Sequence, residues 1–289
     1  MDLRPSSRRP SGHGPSRTAT VLTDDGERIS AAYDASRAPS DLAFVLSHGF
    51  TGGWRLPDTR AIARGLSEHG AVASYDSRGH GSSSGVTTLG DAEVLDLDAV
   101  VRWARWLGAR RVVTVGFSMG GTVVLRQAAL ARPQDREAPD AVVSVSAAGF
   151  WFYKGTPPMR LLHRAVGSGF GRGVLRHAFH TRVTDREWQE PLPLSPAESA
   201  GMISPVPLLV VHGDRDSYFP VEHARAIVEG ARAGARRRGV DDRTDEWIEG
   251  GFAHAESATD ADLVRRIGVW AAAAVSAPAP VVPRAGGAS

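Results

Sequence analysis

The chain has 289 residues, of which 42% are hydrophobic and none is cysteine. A chain of this size and apolar content can bury one large core. Its 34 Lys and Arg nearly balance 32 Asp and Glu, so the overall charge gives no indication of a nucleic-acid partner. The absence of cysteine excludes disulfides, thiolate metal ligands and a thiol nucleophile. It is compatible with the cytoplasmic location that we expect.

In chain order, apolar runs typical of strands alternate with patterns typical of helices. The predicted elements are strands at 18–22, 28–33 and 42–46, a helix at 58–68, a strand at 71–75, a helix at 89–107, a strand at 111–115, a helix at 122–131, a strand at 141–146 and, after an irregular insertion, a strand at 207–211, a helix at 221–233, a strand at 245–248 and a helix at 261–274. Continuous apolar strands separated by helices predict a mostly parallel sheet covered on both faces.

The two ends differ from this pattern. Residues 1–17 are rich in Arg, Ser, Pro and Gly and lack the apolar stretch of a secretory signal, and residues 276–289 have a similar low complexity. We predict that both are disordered tails. The sequence has no run of about 18 apolar residues, so we expect no transmembrane segment.

A sharp turn carries a serine between the strand at 111–115 and the helix at 122–131, in the pattern Gly116-Phe117-Ser118-Met119-Gly120. Such a turn holds its central residue in a strained backbone conformation, and glycines two positions away allow strand and helix to approach closely. The pattern is typical of a nucleophilic serine. A glycine-rich turn with an ordinary serine would have the same five residues, so further motifs must decide.

Four further motifs follow predicted strands: HGFTGG at 48–53, DSRGHGSS at 76–83, HGDRDSYFP at 212–220 and GGFAH at 250–254. Together with the serine turn, their order resembles that of serine hydrolases with the α/β-hydrolase fold, such as esterases, lipases and thioesterases with a lid of the serine aminopeptidase type. The resemblance covers about residues 18–275. It implies an α/β core formed by 18–148 and 205–275, and a small helical lid formed by the insertion 149–204.

The resemblance also implies a catalytic role for three residues. Ser118 would be the nucleophile, His254 the general base, and Asp216 the acid that orients the imidazole, in the chain order that this fold uses. Asp214 remains an alternative to Asp216, because both lie in the same motif.

Backbone N–H groups of Phe50 and Met119 would stabilise the oxyanion of a tetrahedral intermediate. Structural rather than chemical roles are expected for His48, Asp76, Arg78, His80 and His212.

The machinery implied in this way is that of a carboxylic-ester hydrolase acting on a hydrophobic ester through an acyl-enzyme. A thioesterase acting on coenzyme A or carrier-protein thioesters, a C–C bond hydrolase, and a non-catalytic binding protein on the same fold remain alternatives. No metal or organic cofactor is implied. His177 and His180 lie one helical turn apart, but no carboxylate is close to them in sequence, so we predict no metal site.

The insertion 149–204 is the segment expected to determine the substrate. It is rich in aromatic residues, namely Phe150, Trp151, Phe152, Tyr153, Phe170, Phe179 and Trp188, and most of them are expected to pack the lid onto the sheet. A short amphipathic helix is predicted after Pro157-Pro158. As substrate-binding residues we predict Phe50, Trp151, Phe152 and Tyr218.

The same insertion has a one-sided charge. Residues 150–184 contain no Asp or Glu but six cations, namely Lys154, Arg160, Arg164, Arg172, Arg176 and Arg182. These side chains are either a solvated basic face or the attraction site for an anionic partner, such as a coenzyme A thioester, an acidic carrier protein or an acidic lipid surface.

Overall fold

A computed structural model of the protein describes residues 16–132, 135, 137–186, 188 and 190–276. The predicted tails, 1–17 and 276–289, lie outside the described residues except for Ser16, Arg17 and Ser276. No helix in the described ranges combines the length and the apolar character that crossing a membrane requires.

The centre of the molecule is a sheet of eight strands in the order β1-β2-β4-β3-β5-β6-β7-β8. Their bounds are β1 Arg17–Leu22, β2 Arg28–Asp34, β3 Leu42–Ser47, β4 Ala71–Tyr75, β5 Arg111–Phe117, β6 Ala141–Val145, β7 Leu208–Gly213 and β8 Thr244–Glu249. The β2 strand pairs antiparallel with β1 and β4, and all the other pairs are parallel. The carboxyl ends of β3 to β8 therefore meet at one edge, where the loops with the predicted site residues begin.

Helices cover both faces of the sheet. Their bounds are α1 Pro57–Leu66, α2 Glu93–Trp106, α3 Met119–Leu130, α4 Pro157–Gly167, α5 Gly169–Ala178, α6 Pro196–Ile203, α7 Glu222–Arg238, α8 Ala255–Ala258 and α9 Ala261–Ser276. One apolar cluster joins the sheet to α2, α3, α6 and α7, and a second joins the opposite face to α1 and α9. The predicted fold class, a mostly parallel sheet with helices on both faces, is confirmed.

One error in the predicted elements concerns the start of α2. The prediction placed it at residue 89, but Leu89 and Gly90 have φ values of 63° and 110°, which no α-helix tolerates. The Glu93 carboxylate organises the preceding loop by accepting hydrogen bonds from the N–H groups of Thr88 (2.8 Å) and Gly90 (2.9 Å). The helix therefore begins only at Glu93.

The end of α7 was also misplaced. The helix continues past the predicted end at residue 233 and reaches Arg238. Gly239 then ends it with a φ of 61°, in the left-handed conformation that glycine accepts.

Three helices lie in the described part of the segment 149–204, between β6 and β7. The predicted amphipathic helix is α4, which begins at Pro157. The sequence analysis missed α5 and α6. Helix α5 has glycines at 169, 171 and 173, which disfavour a helix on propensity alone. Gly171 is required by packing, because a Cβ there would lie 2.2 Å from the Ala165 carbonyl oxygen of α4.

Candidate active site

Ser118 lies at the turn from β5 into α3, with φ 49° and ψ −113°. Two glycines make this turn possible. A Cβ at Gly116 would lie 2.1 Å from the Gly120 carbonyl oxygen, and a Cβ at Gly120 would lie 2.1 Å from the Ser47 carbonyl oxygen. A backbone held in such a sparsely populated region costs about 1–3 kcal/mol and persists only where the surrounding structure enforces it.

His254 lies directly before α8 and contacts Ser118 on one side and Asp216 on the other. Its Nε2 is 2.9 Å from Ser118 Oγ, and its Nδ1 is 2.7 Å from Asp216 Oδ2. An ionised carboxylate can only accept hydrogen bonds, so Nδ1 carries the proton and Nε2 is left to accept the proton of the serine hydroxyl. The structure thus brings together the three residues predicted as nucleophile, base and acid.

Asp216 is held rigidly in the loop after β7. Its carboxylate is fully buried, and Oδ1 accepts hydrogen bonds from the N–H groups of Tyr218 (2.8 Å) and Phe219 (3.0 Å). The other oxygen therefore faces His254. The sequence alternative, Asp214, is exposed and accepts a hydrogen bond from the Gly251 N–H at 2.7 Å. Of the two aspartates, it is Asp216 that contacts the imidazole.

A tyrosine ring and a buried histidine lie next to these three residues. The Tyr218 ring stacks on His254, with centroids 4.4 Å apart and planes at 29°. His212, buried in β7, donates from Nε2 to the Phe219 carbonyl oxygen at 2.8 Å, and burial lowers the pKa of its imidazole. His212 is therefore neutral and fixes the loop that holds Asp216.

Phe50 and Met119, the predicted oxyanion donors, line the same cavity as Ser118, which is described below. Met119 is the first residue of α3, where backbone N–H groups have no acceptor within the helix. Ahead of Phe50, His48 is buried and its Nε2 accepts a hydrogen bond from the Ser77 N–H at 3.0 Å. His48 thus anchors the loop after β3.

Residues of the motif at 76–83 hold the loop after β3 in place. Asp76 accepts hydrogen bonds from the N–H groups of Trp54 and Ser82, both at 3.0 Å. Arg78 forms ion pairs with Asp25 and Asp96. These contacts are structural, since they join the loop to distant parts of the chain.

His80 is fully buried, and burial lowers its pKa to about 3. Its ring lies edge-on to His48 and Phe50, with centroid distances of 4.9 and 5.9 Å. It is therefore a neutral packing residue beside the loop that follows β3.

Ser118 and His254 open into a cavity of about 620 Å³ between the sheet edge and the segment 149–204. This volume is within the range of small-molecule sites, about 300–1,000 Å³. The predicted substrate-binding residues Phe50, Trp151, Phe152 and Tyr218 all line it. The apolar face of the predicted helix after Pro157-Pro158, which the sequence analysis expects to cover an acyl or aromatic group, also lines it with Met159, Leu161, Leu162 and Val166. The sequence analysis missed other lining residues, among them Leu89 and Glu256.

Aromatic side chains form one wall of the cavity. Of the seven aromatic residues in the insertion, all but Phe170 line it, so most of them do more than pack the segment onto the sheet. The indole N–H of Trp151 donates to the Pro193 carbonyl at 2.9 Å, and that of Trp188 to the Thr88 carbonyl at 2.9 Å. Because both indoles are fixed, the wall is preorganised.

Charge is distributed unevenly around the cavity. Its described lining includes the carboxylates of Asp58 and Glu256 but no Lys or Arg. The six cations of the insertion therefore lie outside it, and within the described residues none of them forms a salt bridge. His177 and His180 are exposed, and no group of three potential metal ligands occurs in the described part of the chain.

Comparisons with known proteins agree with this architecture. A family model described as "alpha/beta hydrolase fold" matches residues 43–154. Among solved structures, the Pyrococcus furiosus esterase Pf2001 has 22% identity and a TM-score of 0.64, covering 89% of this chain and 91% of its own. No curated protein matches the sequence.

Two further solved structures are similar over nearly the whole chain. DcsB, in complex with its substrate analogue, has 18% identity and a TM-score of 0.69, covering 91% of this chain and 100% of its own. Est1E from Butyrivibrio proteoclasticus with bound ferulic acid has 20% identity and a TM-score of 0.58, covering 88% and 100%. The sheet order, the serine turn and these similarities together show that the chain has the α/β-hydrolase fold.

Proposed function

We propose that the protein is a serine hydrolase that cleaves carboxylic esters of hydrophobic acids through an acyl-enzyme. The observation that carries this proposal is the continuous hydrogen-bonded chain from Ser118 Oγ through His254 to Asp216, at 2.9 and 2.7 Å, at the base of an apolar cavity. His254 removes the proton of Ser118 as the hydroxyl attacks the carbonyl carbon, then delivers it to the leaving alcohol. In the second half of the reaction His254 removes a proton from water as the water attacks the acyl carbon, and it delivers this proton to Ser118 Oγ as the acyl–oxygen bond breaks and the carboxylic acid leaves.

The negative charge of each tetrahedral intermediate falls on the former carbonyl oxygen, where the N–H groups of Phe50 and Met119 act as donors. The segment 149–204 acts as a lid that covers the acyl group with its aromatic wall. The esterase activity of the Pyrococcus furiosus relative and the ferulic acid bound to Est1E are consistent with such a substrate.

A thioesterase is the second candidate, and it is favoured by one observation. The exposed cations of the lid, which include Lys154, Arg160, Arg164 and Arg176, lie outside the cavity and have no acidic partner within the described residues. They suit the phosphates of a coenzyme A or carrier-protein thioester whose acyl chain occupies the cavity.

A fluorophosphonate probe tests the proposed nucleophile. The wild-type protein should be labelled and should hydrolyse p-nitrophenyl esters, whereas Ser118→Ala should lose labelling and about 10³-fold or more in kcat. Ser257→Ala is the matched control, because Ser257 is the other serine among the described residues that line the cavity, and this variant should still be labelled. Labelling of a folded Ser118→Ala variant would contradict the mechanism. A panel of acyl esters and acyl-CoAs then separates esterase from thioesterase activity.

A further inference from the structure

Glu256 links the two loops on which the proposed catalysis depends. It follows His254 by two residues, and its Oε1 accepts a hydrogen bond from the Gly49 N–H at 2.6 Å, across 207 residues of sequence. Gly49 directly precedes Phe50, the proposed oxyanion donor. A side chain from the loop that carries His254 therefore holds the loop that carries Phe50.

Glu256 is itself placed by its backbone. The neighbouring residue, Ala255, has a φ of 54°, and its N–H donates to the buried Ser146 Oγ at 3.1 Å. From there the Glu256 side chain extends toward Ser118. A Cβ at Gly49 would lie 3.2 Å from Glu256 Oε2 and 3.3 Å from Ser118 Cβ, so Gly49 separates the carboxylate from the serine.

The peptide group between Gly49 and Phe50 is fixed by hydrogen bonds to its carbonyl oxygen. The Gly49 carbonyl oxygen accepts hydrogen bonds from the Gly52 N–H at 2.9 Å and from His48 Nδ1 at 2.7 Å. His48 donates from Nδ1 because its Nε2 accepts from the Ser77 N–H. A planar trans peptide directs its N–H opposite to its C=O, so these bonds orient the Phe50 N–H away from the loop.

Without Glu256, the Gly49 N–H would have no hydrogen-bond acceptor among the described residues. Glycine has no Cβ and therefore has wide backbone freedom, which leaves the next N–H poorly directed unless both neighbouring peptides are fixed. A carboxylate accepting from a backbone N–H forms a stronger bond than a neutral acceptor does. Apart from strengthening this hydrogen bond, the negative charge of Glu256 does not favour the reaction, because a negative group beside a developing oxyanion opposes it.

We propose that Glu256 is a positioning residue for catalysis: as a hydrogen-bond acceptor for the Gly49 N–H, it fixes the direction of the Phe50 N–H toward the oxyanion. This inference rests on the proposed ester hydrolysis. It does not make Glu256 an acid, a base or a ligand of the substrate.

Three substitutions separate the acceptor from the charge. Glu256→Gln keeps an oxygen of the same reach but removes the charge. Glu256→Asp keeps the charge but is one methylene too short to reach Gly49. Glu256→Ala removes both, and Glu68→Ala, at the surface where Glu68 pairs with Arg37, is the control for loss of an exposed glutamate.

We expect Glu256→Gln and Glu68→Ala to keep kcat within about threefold of wild type. Glu256→Asp and Glu256→Ala should each lose about 10-fold to 10²-fold in kcat with little change in KM, since removing an oxyanion donor altogether costs about 10²–10³-fold. Thermal unfolding identifies any variant that fails to fold, and the Gln and Asp variants decide the question if the Ala variant does.

Any other order of kcat values overturns the proposal. Activity retained by Asp but lost by Gln would assign the effect to charge, equal losses in all three variants would assign it to general disruption, and full activity of Glu256→Ala would leave the residue without a role. The ester used is one that wild type hydrolyses and Ser118→Ala does not. If wild type and Ser118→Ala hydrolyse this ester equally, the proposed function is refuted. That result is distinct from a wrong order of kcat values among the Glu256 variants.

Discussion

Replacing Asp216 with Asn tests how the imidazole is oriented, and the structure dictates how the variant will respond. The side chain is fully buried, and one of its oxygens accepts from the N–H groups of Tyr218 and Phe219. In the Asp216→Asn variant the single amide oxygen must remain at these two donors. The NH2 group then faces His254 Nδ1.

An amide NH2 can only donate, so it cannot accept the Nδ1 proton of His254. Rotating the amide would turn its NH2 group toward the N–H donors of Tyr218 and Phe219, which would then lose their acceptor. A change of imidazole tautomer avoids this penalty, because Nδ1 becomes the acceptor and the proton moves to Nε2. His254 then presents a proton to Ser118 where it must accept one, and no base remains.

We therefore expect Asp216→Asn to lower kcat by about 10⁴-fold, equivalent to about 5 kcal/mol of transition-state stabilisation, while the fold is retained. Asp214→Asn is the matched control. Its oxygen can still accept from the Gly251 N–H, so kcat should change by less than about threefold. Steady-state hydrolysis of a p-nitrophenyl ester by the two variants measures both. A larger loss in the Asp214 variant would refute the assignment.

Two further predictions concern pH and salt. His80 binds a proton in the unfolded chain below a pKa of about 6.5 but in the folded protein only below about 3, so the free energy of unfolding should decrease as pH falls through this window, by about 2 kcal/mol between pH 6.5 and 4.5. Urea unfolding of His80→Gln should show that much less pH dependence, and an equal dependence would contradict the buried neutral state. In the thioesterase alternative, kcat/KM for an acyl-CoA should fall steeply with salt while that for the neutral ester of the same acid hardly changes. Replacing the exposed Arg160, Arg164 and Arg176 with Gln should abolish this difference, and identical salt responses of both substrates would favour the plain esterase.

The parts of the site that the sequence predicts are those enforced by local sterics. The turn around Ser118 requires glycines at 116 and 120 because backbone atoms lie 2.1 Å from where a Cβ would be. Such a requirement is visible in five consecutive residues. The sequence also predicts the parallel strands, because strands buried on both faces are continuous apolar runs.

Other features depend on contacts that no local pattern encodes. The Glu256 carboxylate meets Gly49 across 207 residues, and nothing in the sequence around either residue indicates the pair. Helix α5 forms against its propensity because Gly171 packs on α4. Helix α6, in contrast, had a readable signal that the sequence analysis passed over: Ser195 and Glu198 form a capping box, with Pro196 in the first turn.

The uneven charge around the cavity bears on which part of a substrate the lid can recognise. The described lining of the cavity includes Asp58 and Glu256 but no Lys or Arg, so it disfavours an anionic phosphate group inside the cavity. Under the thioesterase alternative, a phosphate-bearing leaving group would therefore remain outside, near the cations of the segment 149–204, while the acyl chain would lie against Trp151 and Trp188. A neutral alcohol has no such constraint. Under the proposed function, the cations of this segment would thus select among leaving groups, and the aromatic wall would select the acyl group in either case.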